Sequence, residues 1–262
     1  MSSKSKGISY KYKVLFPWLD ILAFLAWGGL LLKYWLTGQL QLLIHPNYFW
    51  LVLVTGIILV AIASLRVWQQ LQKRRKRSYE QDLGADVRHI TLFPPGLSSS
   101  LLLGVAILGL LIPPRILASD TALQRGITDS LLTTRAQPQS FSVSIQPEAR
   151  SLLDWVRTLN AYPEPDDYFG QKVNVKGFVV HSEALPEQYL VISRFVITCC
   201  AVDAYPVGLP VKLSRSQNDY PPDTWLQVEG SIITEELADK RQVVIVPTSI
   251  EEIPTPKDPY EF

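Results

Sequence analysis

The sequence predicts a membrane α-helical segment of three spans followed by a mainly β soluble domain. That domain is expected to be an OB-like five-stranded barrel with one preceding helix, a small β-sandwich being the alternative. Three observations carry the expectation. Three apolar runs of near-bilayer length fall within the first 115 of 262 residues. Short segments rich in β-branched residues, bounded by turn signals, fill the end of the chain. Charge also divides: residues 1–115 hold 13 Lys/Arg against 4 Asp/Glu, a net of +9, whereas residues 116–262 hold 12 against 20, a net of −8. A basic, leucine-rich half joined to an acidic half is two physical objects in one chain. The expected organisation is a membrane domain at 1–115 (spans at about 18–36, 48–65 and 94–112), a linker at 116–147 and an extracytoplasmic β domain at 148–262.

The first run, Trp18 to Leu36, is about one bilayer's worth of helix, at ~20 residues. Its charges, Asp20 and Lys33, lie near the ends, and Trp18, Tyr34 and Trp35 occupy aromatic-belt positions. A cleaved signal peptide is the rival reading, with Lys4, Lys6, Lys11 and Lys13 as its basic region. The apolar stretch is too long for that and lacks a small-residue cleavage site, so it reads as a retained helix. Tyr48 to Leu65 contains no charge and stops at Arg66. Leu97 to Ile112 is short for a span but reaches the length when counted from Phe93 to Pro114; a buried helix of a soluble domain is its alternative.

Orientation follows from the basic residues. Four Lys precede the first span, and Thr37 to Asn47 carries no Lys or Arg. The next link carries Arg66, Lys73, Arg74, Arg75, Lys76, Arg77 and Arg88. Positive residues mark the cytoplasmic side, which places the N-terminus inside and everything after Pro114 outside. The run Lys73–Arg77 reads as a topology anchor touching anionic lipid rather than a nuclear-localisation signal or nucleic-acid patch. Nucleic acid is not expected as a partner, because the acidic half would repel phosphates.

In the soluble half, Arg150 to Asn160 puts Leu152, Leu153, Val156 and Leu159 on one helical face, and Pro163 and Pro165 end the helix. Strands are expected at 170–180, 189–200, 205–213, 223–233 and 241–253. Pro206, Gly208 and Pro210 demote the third to an edge or bent strand. Gly177 and Gly230 stand where a strand must bend to close a barrel.

The chemistry candidates are Cys199, Cys200 and Asp203, with Arg194 nearby. Two soft thiolates with a carboxylate three residues on suit a thiophilic divalent metal. Neighbours on a strand point to opposite faces, so a shared ion requires the strand to end before them. The alternatives are one buried and one near-surface cysteine that only pack, or a vicinal disulfide. With two adjacent cysteines there is no disulfide framework. His45, His89 and His181 are dispersed, and no nucleotide-binding, zincin or serine-hydrolase motif occurs.

Three segments, Tyr162–Val180, Leu190–Val211 and Asp223–Ile232, with the terminal Lys257–Phe262, resemble a family of uncharacterised bacterial membrane proteins described as two-component permease subunits. Its most specific stretch is carried by Arg194, Phe195, Cys199, Cys200 and Asp203. The resemblance runs nearly end to end and implies a multi-span permease as partner. Some relatives carry a His- and Cys-rich tract in the inner link; residues 66–90 depart from that, with a single His89.

The leading expectation is therefore an accessory subunit of a two-component membrane permease, its outer domain docking the permease or presenting a substrate such as a metal ion. A membrane-anchored extracytoplasmic binding or assembly module is the second reading. A Cys-dependent enzyme using Cys200, with His181 or Asp203 as base, is the third, and no enzyme activity is the expectation. Membrane lipid is the other expected contact.

Overall fold

The computed structural model describes residues 4–76, 96–127, 146–237 and 240–262. The chain divides into two compact units, Met1–Pro114 and Arg115–Phe262. Much of the basic link after Arg66, with Arg77, Arg88 and His89, and most of the expected linker lie outside the described residues.

The first unit holds α1 (Lys4–Leu36), α2 (Phe49–Lys76) and α3 (Leu97–Leu111). Two stretches, Pro17–Leu36 and Pro46–Gln72, are long and apolar enough to cross a membrane. The expected spans at 18–36 and 48–65 fall inside them. The third expected span is helical from Leu97 and measures 15 residues, and its residues 94–95 lie outside the described ones.

Glycine sets the α1–α2 approach. A Cβ on Gly28 would sit 2.8 Å from Val60 Cγ2 and 3.1 Å from Gly56 O, and one on Gly56 would meet Leu32 at 3.1 Å. Small residues let the two backbones come this close. Rising numbers on α1 meet falling numbers on α2, so the pair is antiparallel. Asp20, Trp27 and Tyr34, seven apart and hence on one face, all reach α3. Asp20 accepts from Ser99 Oγ; Trp27 Nε1 donates to Leu102 O at 2.9 Å; Tyr34 OH donates to Gly109 O at 2.5 Å. Here both numbers rise, so α3 runs parallel to α1. Leu101, Leu102, Val105, Leu108 and Leu111 of α3 are exposed, whereas Ala106 is buried.

The second unit holds α4 (Ser119–Gln124), α5 (Leu152–Ala161) and six strands: β1 (Lys172–Val180), β2 (Tyr189–Val196), β3 (Tyr205–Lys212), β4 (Trp225–Leu237), β5 (Lys240–Glu252) and β6 (Tyr260–Glu261). Ser151 opens α5: its hydroxyl accepts from Asp154 N at 3.1 Å while the Asp154 carboxylate accepts from Ser151 N at 3.2 Å. The helix buries Leu152, Leu153, Trp155 and Val156, with Leu159 only partly covered. Trp155 was absent from the expected face, yet its ring is fully buried, edge-on to Tyr168 and under the Arg150 guanidinium.

The strands form one mixed sheet in the order β1-β4-β5-β3-β2-β6, with an additional β1–β2 pairing. β1 is the shared strand: Lys172–Phe178 pair with β4, and Phe178–Val180 pair with β2. The five strands therefore close into a ring, and the two-sheet alternative does not occur among the described residues. β3 lies inside the ring rather than at an edge, though Val211↔Ile245 is the only registered pair between it and β5. Two prolines remove ladder donors from β3 and account for so thin a seam. The sixth strand was not expected; it is the C-terminal tail, parallel to β2.

Both glycines marked as bends sit at close backbone approaches. A Cβ on Gly177 would lie 2.5 Å from Ser193 O, and one on Gly230 only 2.2 Å from Val246 O. Gly230 also adjoins the β4–β5 register shift, the signature of a bulge. Gly230→Ala is thus expected to destabilise the protein by about 1–3 kcal/mol, the usual cost of overpacking. Gly104→Ala, inside α3 where nothing lies within 4 Å of the added atom, should not destabilise and should gain up to about 1 kcal/mol from helix propensity. Thermal unfolding of the detergent-purified chain followed by circular dichroism compares them; equal melting temperatures would refute the close approach.

Candidate functional site

β2 ends at Val196, four residues before the expected boundary. Ile197 N donates to Glu261 O of the tail at 3.0 Å, and residues 197–204 then form the loop to β3. The strand geometry that would have sent the two cysteine side chains to opposite faces therefore does not apply.

Asp203 shapes this loop. One carboxylate oxygen accepts from Cys199 N at 2.8 Å and from the Thr198 hydroxyl. The other accepts from Cys200 N at 3.0 Å, and Asp203 N donates to Cys200 O at 3.1 Å. A short acidic side chain folding back on nearby amides is the usual reason for Asp in a tight turn. The cysteine sulfurs then stand 3.6 Å apart as free thiols. Both Sγ atoms and a carboxylate oxygen lie within 4.8 Å of one another. Cys199 is exposed, Cys200 and Asp203 are half-buried, and Val202 at the loop tip is 85% exposed.

Two further groups fix the loop, one from outside and one within it, and neither was expected from sequence. Arg125, just after α4, donates to Ala201 O at 3.3 Å and to Ala204 O. Thr198 contributes the hydroxyl bond to Asp203. No local pattern marks either residue, because their partners are a distant main chain and a turn carboxylate. Arg194, expected near the cluster, serves the tail instead. Its guanidinium donates to Glu261 Oε1 at 2.9 Å, Asp258 O at 2.5 Å and Tyr260 O at 3.3 Å. Phe195 stacks on Phe178 and meets Tyr260 edge-on.

The electrostatics follow from these contacts. Burial pushes the Asp203 carboxyl up, but hydrogen bonds from Thr198, Cys199 and Cys200 outweigh it and hold the group at about 2. The hydrogen bond to Asp203 first, then that to Cys200, pushes the Cys199 thiol up to about 11. A protonated thiol is a poor nucleophile, and so acidic a carboxyl is a poor base. His181 lies apart, its Nε2 at 2.8 Å from Tyr220 O. His45 Nδ1 accepts from Asn47 N at 3.1 Å, and His89 lies outside the described residues.

The donor set fits a soft divalent ion. Two thiolates at ~2.3 Å from a tetrahedral ion stand ~3.8 Å apart, close to the 3.6 Å separation seen here. Three protein donors leave a fourth position open, the pattern of an exchangeable rather than a sealed structural site. Loading would require the thiols to lose protons and Asp203 to share oxygens already engaged by the loop.

The chain belongs to the DUF1980 family: it matches the DUF1980 N-terminal domain over residues 19–128 and the DUF1980 C-terminal domain over residues 129–262. It is also similar to the UPF0703 protein YcgQ of Bacillus subtilis (strain 168), at 25% identity over 103 residues. That match covers 38% of this chain and 36% of the relative, so the chain spans little more than a third of that relative's length.

Acid titration checks the role of Asp203. Its carboxyl has an ordinary value of 3.8 and about 2 in the fold. The stabilisation it supplies is complete above the ordinary value and disappears as pH falls through the folded one. Asp203→Asn is expected to be less stable than the parent at pH 6, with a flatter stability curve between about pH 4 and 2. Urea unfolding of both proteins across that range reads the difference; parallel curves would dismiss the turn-capping role.

Proposed function

We propose that this DUF1980 chain is the membrane-anchored accessory subunit of a multi-span permease, whose outer domain presents a thiophilic divalent metal ion held by Cys199, Cys200 and Asp203. The observation that carries the reading is the convergence of two free thiols and a carboxylate, all within 4.8 Å, on an accessible turn. Its accessibility and open fourth position suit an ion handed on.

The membrane part of the proposal is three spans with the N-terminus cytoplasmic. α3 lies parallel to α1 and exposes leucines, Val105 and Ile107, as a lipid-facing helix does and a buried helix of a soluble domain does not. The basic residues before the first span and after the second, against none between, support the orientation. For the outer domain we read the closed five-strand ring, with β3 parallel to β5 and β1 shared, as an OB-type barrel. Its helix α5 precedes β1. The permease partner is supported by the sequence resemblance and by the membrane unit: its span-end charges Asp20 and Lys33 are engaged by α3, so they are not offered to a transported ion.

Metal content tests the site. The full chain, purified in detergent and equilibrated with Zn(II) or Cd(II), should retain one ion, with thiolate-to-cadmium absorption in the ultraviolet. Cys199→Ala and Cys200→Ala should abolish retention, and Asp203→Asn should weaken it about tenfold or more. Retention should fall as pH is lowered, because loading releases thiol protons. An unchanged stoichiometry in Cys200→Ala sinks the metal reading. Affinity capture of the intact protein from membranes tests the partner: a co-purifying multi-span permease supports the accessory role. Metal retention without such a partner would favour a self-contained binding or assembly module.

A further inference from the structure

A second polar feature lies in the first unit. A cavity of about 250 Å³ is lined by Pro17 and Ile21 of α1 and by Arg66, Gln69 and Gln70 of α2. Its depth follows from helix length. Phe49 to Leu65 is an uncharged stretch of 17 residues, or ~26 Å at 1.5 Å per residue. Arg66 to Gln70 thus begin where the ~30 Å hydrocarbon layer gives way to headgroups. Trp18 on α1 and Trp68 on α2, the latter 58% exposed, stand at that level, as interfacial tryptophans do. The antiparallel crossing brings Pro17 and Ile21 to this same end.

The charge arrangement points to the ligand. Arg66 Nη1 is 3.8 Å from Asp20 Oδ2, a long contact between side chains 50% and 40% exposed. The other Asp20 oxygen is held by Ser99 of α3. The Arg66 guanidinium also lies over the Phe24 ring, 5.4 Å from its centroid. A guanidinium has five N–H donors, and one loose carboxylate contact among the described residues leaves most of them for an incoming anion. Gln69 and Gln70 add neutral carboxamide donors. Lys73, Arg74, Arg75, Lys76 and Arg77 follow in sequence, a basic run of the kind that favours anionic lipid.

We propose that this cavity binds the phosphate of an anionic phospholipid headgroup, with Arg66 as charge partner and Gln69 and Gln70 as hydrogen-bond donors. The inference rests on α1 and α2 being membrane spans. A lipid rather than a soluble phosphate is the occupant, because the site lies at headgroup depth and the apolar face below it, with Ile57, Ile58 and Leu65 exposed, offers a path for acyl chains.

The experiment is native mass spectrometry of the full chain released from micelles doped with phosphatidylglycerol or phosphatidylcholine. Phosphatidylglycerol adducts should dominate, falling roughly fivefold in Arg66→Gln and also falling in the Gln69→Ala/Gln70→Ala double variant. Asp20→Asn keeps an acceptor for Ser99 and frees the guanidinium, so it should raise adduct formation. A purely structural ion pair would make Asp20→Asn lose adducts as Arg66→Gln does, and that result overturns the proposal. Equal adducts in Arg66→Gln and the parent overturn it too, and inorganic phosphate binding as tightly as the lipid would reassign the site to a soluble ion. Flotation of each variant with vesicles tests the span reading separately: a chain that fails to float refutes the spans, whereas one that floats without adducts refutes only the site.

Discussion

A Cβ on Gly177 would lie 2.5 Å from Ser193 O and 2.8 Å from the Ile192 side chain, and closure of the β domain depends on that atom being absent. Gly177 is where β1 begins to leave β4 for β2, so its bare backbone lets one strand pair on both sides in succession. Without the crossover the six strands would be an open sheet with two long edges, the arrangement that invites pairing with other chains. With it, β2 and β3 are pinned as neighbours, and the loop between them has both ends fixed. The cysteines stand on that loop.

The loop shows two demands on one carboxylate. Asp203 accepts the amides of Cys199 and Cys200, and those bonds turn both sulfurs toward each other. The same group supplies the third donor of the candidate metal centre. The demands are compatible because a carboxylate has about four lone-pair sites, and the loop amides need only two. What an ion bound here would displace is the peripheral set: the Thr198 hydroxyl and the two thiol protons. The loop thus holds its sulfurs 3.6 Å apart, close to the ~3.8 Å that a shared tetrahedral ion would need, and its hydrogen bonds favour the protonated Cys199 thiol. Arg125 and the tail strand hold the surrounding main chain, so the reordering stays local.

Much of this was legible in the sequence. Most strand limits followed from alternation and turn residues, though β4 runs to Leu237, four residues past its expected end, and two bends followed from glycines inside apolar segments. The strand carrying the cysteines was read four residues too long because Ile197, Thr198 and Cys199 favour extended structure. What ends it is a hydrogen bond from Ile197 to a tail residue 64 positions later, which no local pattern encodes. The tail itself is too short to announce a strand; β6 exists because Arg194 gathers three acceptors from Asp258, Tyr260 and Glu261. Cys199, Cys200 and Asp203 could be named from spacing, whereas Arg125 and Thr198 could not.

The membrane unit alters the meaning of its charges. From sequence, Asp20 and Lys33 were end-of-span residues positioned to reach the interface. In the structure each reaches sideways: Asp20 to Ser99 and Lys33 to Leu110 O, at the two ends of α3. Trp27 and Tyr34 add bonds between those points, so α1 grips α3 along its whole length through polar groups. Helix association in lipid gains little from hydrophobicity and depends on close packing and such bonds. The α1–α2 contact uses the other device, with Gly28 and Gly56 bringing backbones together. One helix therefore carries both means of assembly on different faces. That division explains why the apolar stretch of α1 carries Asp20 and Lys33, whereas Phe49–Leu65 of α2 and the whole of α3 carry no charge.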